Sequence, residues 1–463
     1  MPTQKPSTQG NSNSPHKSRA RPQRTGEVCS PFHTSGAVFS DGACIELLRE
    51  AGTGRLCLLV CEGENRTIAP EVQFRGRLYR PEHIDPALLA AMTLPAKCEA
   101  FGSTIELFTS VRETFMSYGV PEDPALAVTY FGFASWFIES LPAAPCLLIS
   151  GPPAEANLLL ELLHCAVRHS LPLGEVTRSG IYSLPMYVQP TLLVKSRISR
   201  SVSALLSLSN RRDAFILGEH GLSNIFCAKA VYLGDGEERD DFDESVLRIN
   251  LSPSRGRLPI LDPRDRQEIC GKLQGKLLGY RCRHLVKVRE SRCDFPEFDS
   301  GIRILGRILG APLVDAPELH ADLEPLLRER QEGIRTAKWL DLRCVTLEAV
   351  LNHCHQDPGK KVHIRDITKT VNIIYRSRGE TTEFEPEVIG NILRKHEFSP
   401  KRDSQGYFIL LDDRTRRHAH LVARRRDVAA VQVGISKCSL CSEILATDGT
   451  RTFSDSRSKG QKL

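Results

Sequence analysis

"CLLISGPPAEANLLLELL", residues 146–163, decides the fold. Its apolar run from Cys146 to Ile149 has the length of a buried strand. Gly151, Pro152 and Pro153 then make a turn, and a leucine-rich stretch at helical spacing follows. The same grammar continues downstream. Pro190 to Lys195, Ala214 to Leu217 and Cys227 to Leu233 are further apolar runs, and "ISRSVSALLSLSNRRD", residues 198–213, is a helical segment between two of them. Strands alternating with helices predict an α/β core with a parallel sheet and helices on its faces.

The turn at Gly151 stands where a phosphate-binding loop, G-x-x-x-x-G-K-[ST], would stand. In such a loop glycine lets backbone N–H groups close around phosphate, lysine neutralises the β and γ phosphates, and the hydroxyl holds Mg²⁺. Gly151 supplies the first glycine, but Ala156, Asn157 and Leu158 occupy the positions of the second glycine, the lysine and the hydroxyl. Asn157 carries no charge and Leu158 cannot ligate a metal. The second half of the site should be an apolar strand, the next in the sheet, that ends in Asp-Glu. "PTLLVKSR", residues 190–197, ends instead in Lys195 and Ser196, and a lysine there would repel the metal. Losses at both halves predict no ATP hydrolysis and no cofactor. Gly151 and Asn157 are left as a degenerate nucleotide site, where residual ATP binding stays open. An ordinary α/β core of other ancestry predicts the same absence of hydrolysis.

Taken in order, "CLLISGPPAEANLLLELLHCAVR" (146–168), "QPTLLVKSR" (189–197), "LLSLSNRRDAFI" (205–216), "CAKAVYLGD" (227–235) and "FDESVLRINLSP" (242–253) resemble a divergent P-loop ATPase module of bacterial and phage primase-helicase-type proteins. "LDPRDRQEICGKLQGKLLGYRCRHLVKVRE" (261–290) and "GIRILGRILGAP" (301–312) are similar to the helical region that follows it. The resemblance spans about residues 100–425. It implies the fold but not the activity, because Asn157, Leu158, Lys195 and Ser196 replace the working residues, and Ser245 stands where the family has an arginine.

The bulk numbers fit this frame. A chain of 463 residues exceeds one ordinary core, and 41% apolar with 25% charged residues is the composition of a soluble globular protein. The longest apolar run, Ala125 to Ile138, is too short to cross a bilayer and reads as a buried helix. There is no apolar leader, so a cytoplasmic location is expected, with no membrane partner. Fifteen cysteines without a recognisable framework suit reduced thiols.

Composition divides the chain into a disordered basic tail (1–30), an N-terminal α/β segment of a few short strands and a helix stopped by Pro95 (31–100), the degenerate P-loop-like core (101–255), a helical connector (256–340), a C-terminal module (341–428) and a flexible tail (429–463). "STIELFTSVRETFMSYG", residues 103–119, offers a capped helix start at Ser103 or Thr104 and a stop at Gly119. The connector reads as helices over Asp265 to Val288 and Gly301 to Gly333.

The C-terminal module has three helical segments, "LRCVTLEAVLNHCHQ" (342–356), "HIRDITKTVNIIYRSRG" (363–379) and "EPEVIGNILRKHEF" (385–398). "SPKRDSQGYFILLDD" (399–413) follows as strand, turn and strand. Three helices and a two-stranded wing predict a winged helix. Residues 360–426 carry 16 Lys/Arg against 9 Asp/Glu, a surplus larger than the net charge of +6 of the whole chain. That is the footprint expected of a DNA-backbone binder. On the third helix Val388, Ile389, Ile392 and Leu393 form the expected inward stripe, leaving Glu387, Asn391, Arg394 and Lys395 outward. Asn391 and Arg394 can read base edges, and Lys395, Lys401 and Arg402 can meet phosphates, as can the Arg424–Arg426 cluster.

Cys438 and Cys441 form C-x-x-C with His418 and His420 upstream, a weak metal candidate beside the plainer reading of free thiols in a tail. His353 and His355 read as capping or surface residues, and the acidic run 235–244 as a solvated loop. The reading is a non-catalytic, DNA-associated protein with an inactivated ATPase-like scaffold, able to hold protein partners or copies of itself. Its rivals are an ATP-using helicase-like enzyme with Lys195 or Arg197 as phosphate contacts, and a protein–protein adaptor.

Overall fold

The computed structural model describes residues 30–218, 221–234, 241–254, 256–356, 361–426 and 428. The chain opens with seven short strands, β1 (Phe32–Thr34), β2 (Gly36–Val38), β3 (Cys44–Arg49), β4 (Leu56–Glu62), β5 (Asn65–Ala69), β6 (Val72–Phe74) and β7 (Arg77–Pro81). β2-β3-β4-β5 is an antiparallel sheet, and β1-β7-β6 is a second, smaller one. Side chains alternate across a strand, and both faces of β3 and β4 are covered. Leu48, Cys57, Leu59 and Cys61 enter one core, whereas Ile45, Leu47, Leu58 and Val60 enter another. Helix α1 (Pro86–Ala91) starts on Pro86, and the Asp85 carboxylate accepts from the N–H groups of Ala87 and Leu88, at 2.8 and 3.2 Å.

The helical stretch from Ser103 is two helices, α2 (Thr104–Ser117) and α3 (Glu122–Ser135), parted at Gly119, whose φ is +84°. At the start of α2 the Ser103 hydroxyl accepts from Glu106 N–H (3.2 Å) and the Glu106 carboxylate from Ser103 N–H (2.9 Å). Apolar nearly all round, α3 is buried nearly all round.

The central sheet comprises β8 (Cys146–Ser150), α4 (Pro153–Ala166), β9 (Ser170–Leu173), α5 (Arg178–Tyr182), β10 (Thr191–Val194) and α6 (Arg200–Leu208). A hairpin, β11 (Phe215–Gly218) and β12 (Gly221–Asn224), precedes β13 (Lys229–Gly234) and β14 (Leu247–Asn250). The sheet is five-stranded and wholly parallel, in the order β14-β8-β13-β10-β9. The core is therefore the expected α/β class, with two differences. The Ala214–Leu217 run is not a strand of the central sheet, because among the described residues β11 pairs with β12 alone and leaves Leu217 79% exposed. The strand after β8 is β9 rather than β10. Its sequence, "SLPL", hides it, since Pro172 lacks a donor and is tolerated because β9 lies at the sheet edge.

Helix α7 (Pro263–Glu290) starts on an Asp262–Asp265 capping box, and its N-terminal half packs on α4. α8 (Ser300–Gly310) and α9 (Glu318–Leu340) divide the stretch expected as one helical block, with a 3-10 turn at Ala311–Leu313 between them. A buried ion network ties β3 to these layers. Glu46 accepts from Arg281 Nε at 2.7 Å and from Arg168 Nη2 at 3.0 Å, and Arg281 also reaches Glu139 and the Trp136 carbonyl.

The C-terminal part folds on a core of its own residues, 342–428. Its elements are α10 (Leu342–Gln356), β15 (Lys361–His363), α11 (Ile364–Ser377), α12 (Pro386–Lys395), β16 (Lys401–Asp403), β17 (Gly406–Leu410) and α13 (Asp413–Arg425). An antiparallel sheet, β15-β17-β16, packs on α11, and its Val362 and Ile409 join the core that α10, α11 and α12 share. β15 and α13 are additions to the expected three helices and hairpin.

Candidate functional site

The turn after β8 is shorter than a phosphate loop. Only Gly151 and Pro152 separate the strand from α4, so three of the motif's four variable positions already lie in the helix. Pro152 and Pro153 have no N–H to offer an anion. Gly151 is locked by its surroundings: its N–H donates to the Gly234 carbonyl (3.4 Å) and its carbonyl accepts from the Tyr232 hydroxyl (3.0 Å). In the first turn of α4 stands Glu155, whose carboxylate accepts from Ser254 N–H at 2.7 Å. The dipole is thus served by the chain's own acid. A cavity of about 230 Å³ beside it is lined by Leu158, Leu159, Val120 and Leu251, with Glu155 its one charged lining residue among the described residues. Asn157 is exposed on α4.

At the end of β10, Lys195 Nζ lies 3.4 Å from Glu161 Oε1 on α4, both groups about one-third exposed. Nearby His164 is held neutral down to about 4 by burial, with Lys195 and Arg266 adding to the effect. The Ser196 hydroxyl is buried without a hydrogen-bond partner among the described residues, and Arg197 lies against Gly234. A Lys–Glu pair thus occupies the place where two acids would gather a metal. We expect Lys195→Ala to leave ATP turnover at the blank level and to change stability by about 1 kcal/mol or less, as for other partly exposed pairs. A phosphate-release assay and urea unfolding check this.

On the C-terminal part, Asn391, Arg394 and Lys395 stand together on the exposed face of α12, and Lys401 and Arg402 are exposed on β16. Arg394 Nη1 donates to Asn391 Oδ1 at 2.8 Å. Between them and the hairpin rises Tyr407, 46% exposed, with the guanidinium carbons of Arg394 and Arg402 at 5.7 and 5.8 Å from its ring. A groove of about 420 Å³ runs between α12, the start of α11 and the hairpin, lined by Arg365, Asn391, Arg394, Tyr407 and Glu387 among others. The nearby Asp403 is bound by Lys361. That hydrogen bond, with further ones from Gln405 N–H and His363, pulls its carboxyl to about 2 against a small desolvation. Its charge is therefore engaged within the module.

The inward stripe of α12 is Ile389, Gly390, Ile392 and Leu393, whereas Val388 is 42% exposed, which corrects its expected burial. The reason is the crossing with α11, where Gly390 takes the contact beneath Ile364. Arg365 and Tyr407 were not expected at this face; the alternation of "GYFIL" was the signal for Tyr407. Arg424, Arg425 and Arg426 are exposed at the end of α13. On α13, His418 meets the His396 carbonyl (2.7 Å), while buried His420 meets the Arg416 carbonyl (2.7 Å) and His355 (3.1 Å). Far from being a surface residue, His355 is thus engaged with α13, and His353 bonds Thr370. Cys438, Cys441, the basic N-terminal tail and most of the acidic run lie outside the described residues.

Comparison with known proteins adds little to this geometry. No family model matches the chain, and no curated protein matches it in sequence. Among solved structures, a chain from "Structure of Drosophila ORC bound to DNA" is similar at 14% identity, over 72% of this chain and 96% of that one, with a TM-score of 0.18. Agreement that low carries no argument for fold or function. The primase-helicase-type resemblance finds no support among families. Among the described residues no helix is long and apolar enough to cross a membrane.

Proposed function

We propose that the chain is a non-catalytic, DNA-associated protein. In this reading residues 341–428 are a winged helix that lays α12 in the major groove and the β16–β17 hairpin on the flanking backbone. The parallel-sheet core is a P-loop-type module kept as a scaffold. The observation that carries the reading is the exposed set Asn391, Arg394 and Tyr407 lining one groove, with Arg402 against the Tyr407 ring and Lys395 exposed on the same helix. It combines a base reader, phosphate-neutralising cations and an aromatic ring between two guanidiniums. The two-residue turn at Gly151 and the Lys195–Glu161 pair support a core without ATP chemistry.

Duplex binding by the full chain, titrated across a salt series, tests this. Arg394→Ala is expected to cost about 1–3 kcal/mol of affinity, and Lys395→Ala to lower the salt slope by about 1. Binding that does not weaken with salt, or no binding at all, would favour the protein–protein adaptor, for which the exposed apolar Ile373 and Val388 on α11 and α12 would then be the contact.

A further inference from the structure

Four cysteines far apart in the sequence meet beneath α7. Cys44 and Cys61 are direct partners in the β3–β4 ladder, so their side chains leave the same face of the sheet. Cys282 reaches them from α7, its sulfur 2.9 Å from that of Cys61 and 3.8 Å from that of Cys44. All three sulfurs lie within 4.8 Å of one another. Cys98, in the connection between α1 and α2, lies beside Cys61 and Cys282, outside the group of three sulfurs that are all within 4.8 Å of one another, and is the nearby thiol that can complete a set of four.

Glycines at three places bring this about. Gly275 and Gly279, one turn apart on α7, let residues 97–99 lie on the helix backbone. Glu99 N–H donates to the Gly275 carbonyl at 2.9 Å, and a Cβ on Gly279 would stand 2.0 Å from the Glu99 carbonyl. Cys282 is the next residue along that face of α7. Beyond it, Gly42, with φ +91°, lets the β2–β3 turn settle on Val286, where a Cβ would come within 2.0 Å of a methyl group. Two chain segments are thus pressed onto one helix face, with the sulfurs between them.

The chemistry of the group selects its occupant. Four thiolates around a tetrahedral zinc at about 2.3 Å place their sulfurs roughly 3.8 Å apart, which is the Cys44–Cys282 separation, whereas Cys61 and Cys282, at 2.9 Å, would have to part by roughly 0.9 Å to admit the metal. A disulfide needs about 2.05 Å and would engage only two of the four. No oxygen ligand competes, since the nearby Glu46 carboxylate is committed to Arg168 and Arg281. Arg66, near Cys98, is placed to offset part of the negative charge of a zinc tetrathiolate, whereas Arg281 is already matched by Glu46 and Glu139.

We propose that Cys44, Cys61, Cys98 and Cys282 form a closed tetrahedral Zn²⁺ site that fastens the N-terminal sheet and the 97–99 connection to α7. With four protein ligands the metal has no open position, so its role is structural. Binding releases one proton from each thiol that enters neutral, and affinity falls as pH is lowered.

The test is metal analysis of the full chain, produced with added zinc and purified under reducing conditions. About one zinc per chain is expected, and Cys44→Ser or Cys282→Ser should lose most of it. Cys270→Ser, at a separate cysteine pair with Cys165, should keep it. Should the ligand variants fail to fold, cobalt(II) exchanged into the unaltered chain must give the strong visible bands and near-ultraviolet charge transfer of a tetrahedral thiolate site. Four free thiols without metal, a Cys61–Cys282 disulfide by mass spectrometry, iron in place of zinc, or full zinc retention by folded Cys282→Ser would each overturn the proposal.

Discussion

Replacing Glu46 by glutamine should lower the stability of the full chain by about 3–5 kcal/mol, the cost of stranding a charge in a buried network. Glu46 is buried on β3, and its two partners, Arg168 and Arg281, are as deeply buried. The glutamine amide would keep the shape but leave two guanidiniums facing Glu139 as the one remaining carboxylate of the network, with Arg168 retaining Gln189 at 3.2 Å. The pH dependence has a definite sign. Burial opposes ionisation of Glu46, but Arg168 and Arg281 outweigh it and hold its pKa below the usual carboxylate range. Glu139 behaves likewise, with Arg281 the first of its compensating charges. A depressed folded-state pKa contributes stability that is complete above the unfolded value, about 4.3, and is lost as pH falls through the lower folded value. The unaltered protein should therefore weaken below about pH 4, and Glu46→Gln should show a shallower acid loss from its lower starting point. Urea unfolding followed by circular dichroism across pH 2–7 measures both, and equal midpoints at pH 7 would refute the role given to Glu46.

Gly151→Ala should cost about 2–6 kcal/mol. Its φ of +121° is one that side chains rarely adopt, which carries about 1–3 kcal/mol of strain. The new methyl would also meet the Leu251 carbonyl oxygen at 2.3 Å, where β14 leaves the sheet, adding an overpacking cost of about 1–3 kcal/mol. Gly52→Ala separates the two terms, because Gly52 has φ +86° and open space around it, and about 1 kcal/mol is expected there. If both variants unfold at the same denaturant concentration, the close approach to Leu251 is not what Gly151 serves. ATP should leave the melting temperature of either variant unchanged.

The strand Cys146–Ser150, the capped start at Ser103 and the Pro386 start of α12 were legible because each depends on neighbours within a few residues. β9 was not, since a proline in a four-residue run erases the apolar signal and only its place at the sheet edge makes it tolerable. Val388 went wrong for a related reason. The phase of the α12 stripe is set by Gly390 crossing under α11, and helical period alone leaves that phase undetermined by one residue. The basic face was legible as charge, but the grouping of Arg365, Arg394 and Arg402 around Tyr407 requires three elements to meet.

By itself the amino-acid sequence determined the alternation of strands and helices, the α/β class, that Asn157 and Leu158 rather than a lysine and a hydroxyl follow the Gly151 turn and that Lys195 rather than an acid follows Val194, and the basic C-terminal surplus. All of these are local in the chain, resting on periodicity, turn residues and composition. Only the tertiary structure decided that the Gly151 turn is two residues long, that Lys195 finds Glu161, that Glu46 is held between Arg168 and Arg281, and that the sulfurs of Cys44, Cys61 and Cys282 come together. Those pairings join residues up to 238 positions apart. Contacts at that range are set by how β3, β4 and α7 pack, and their spacing along the chain carries no trace of it.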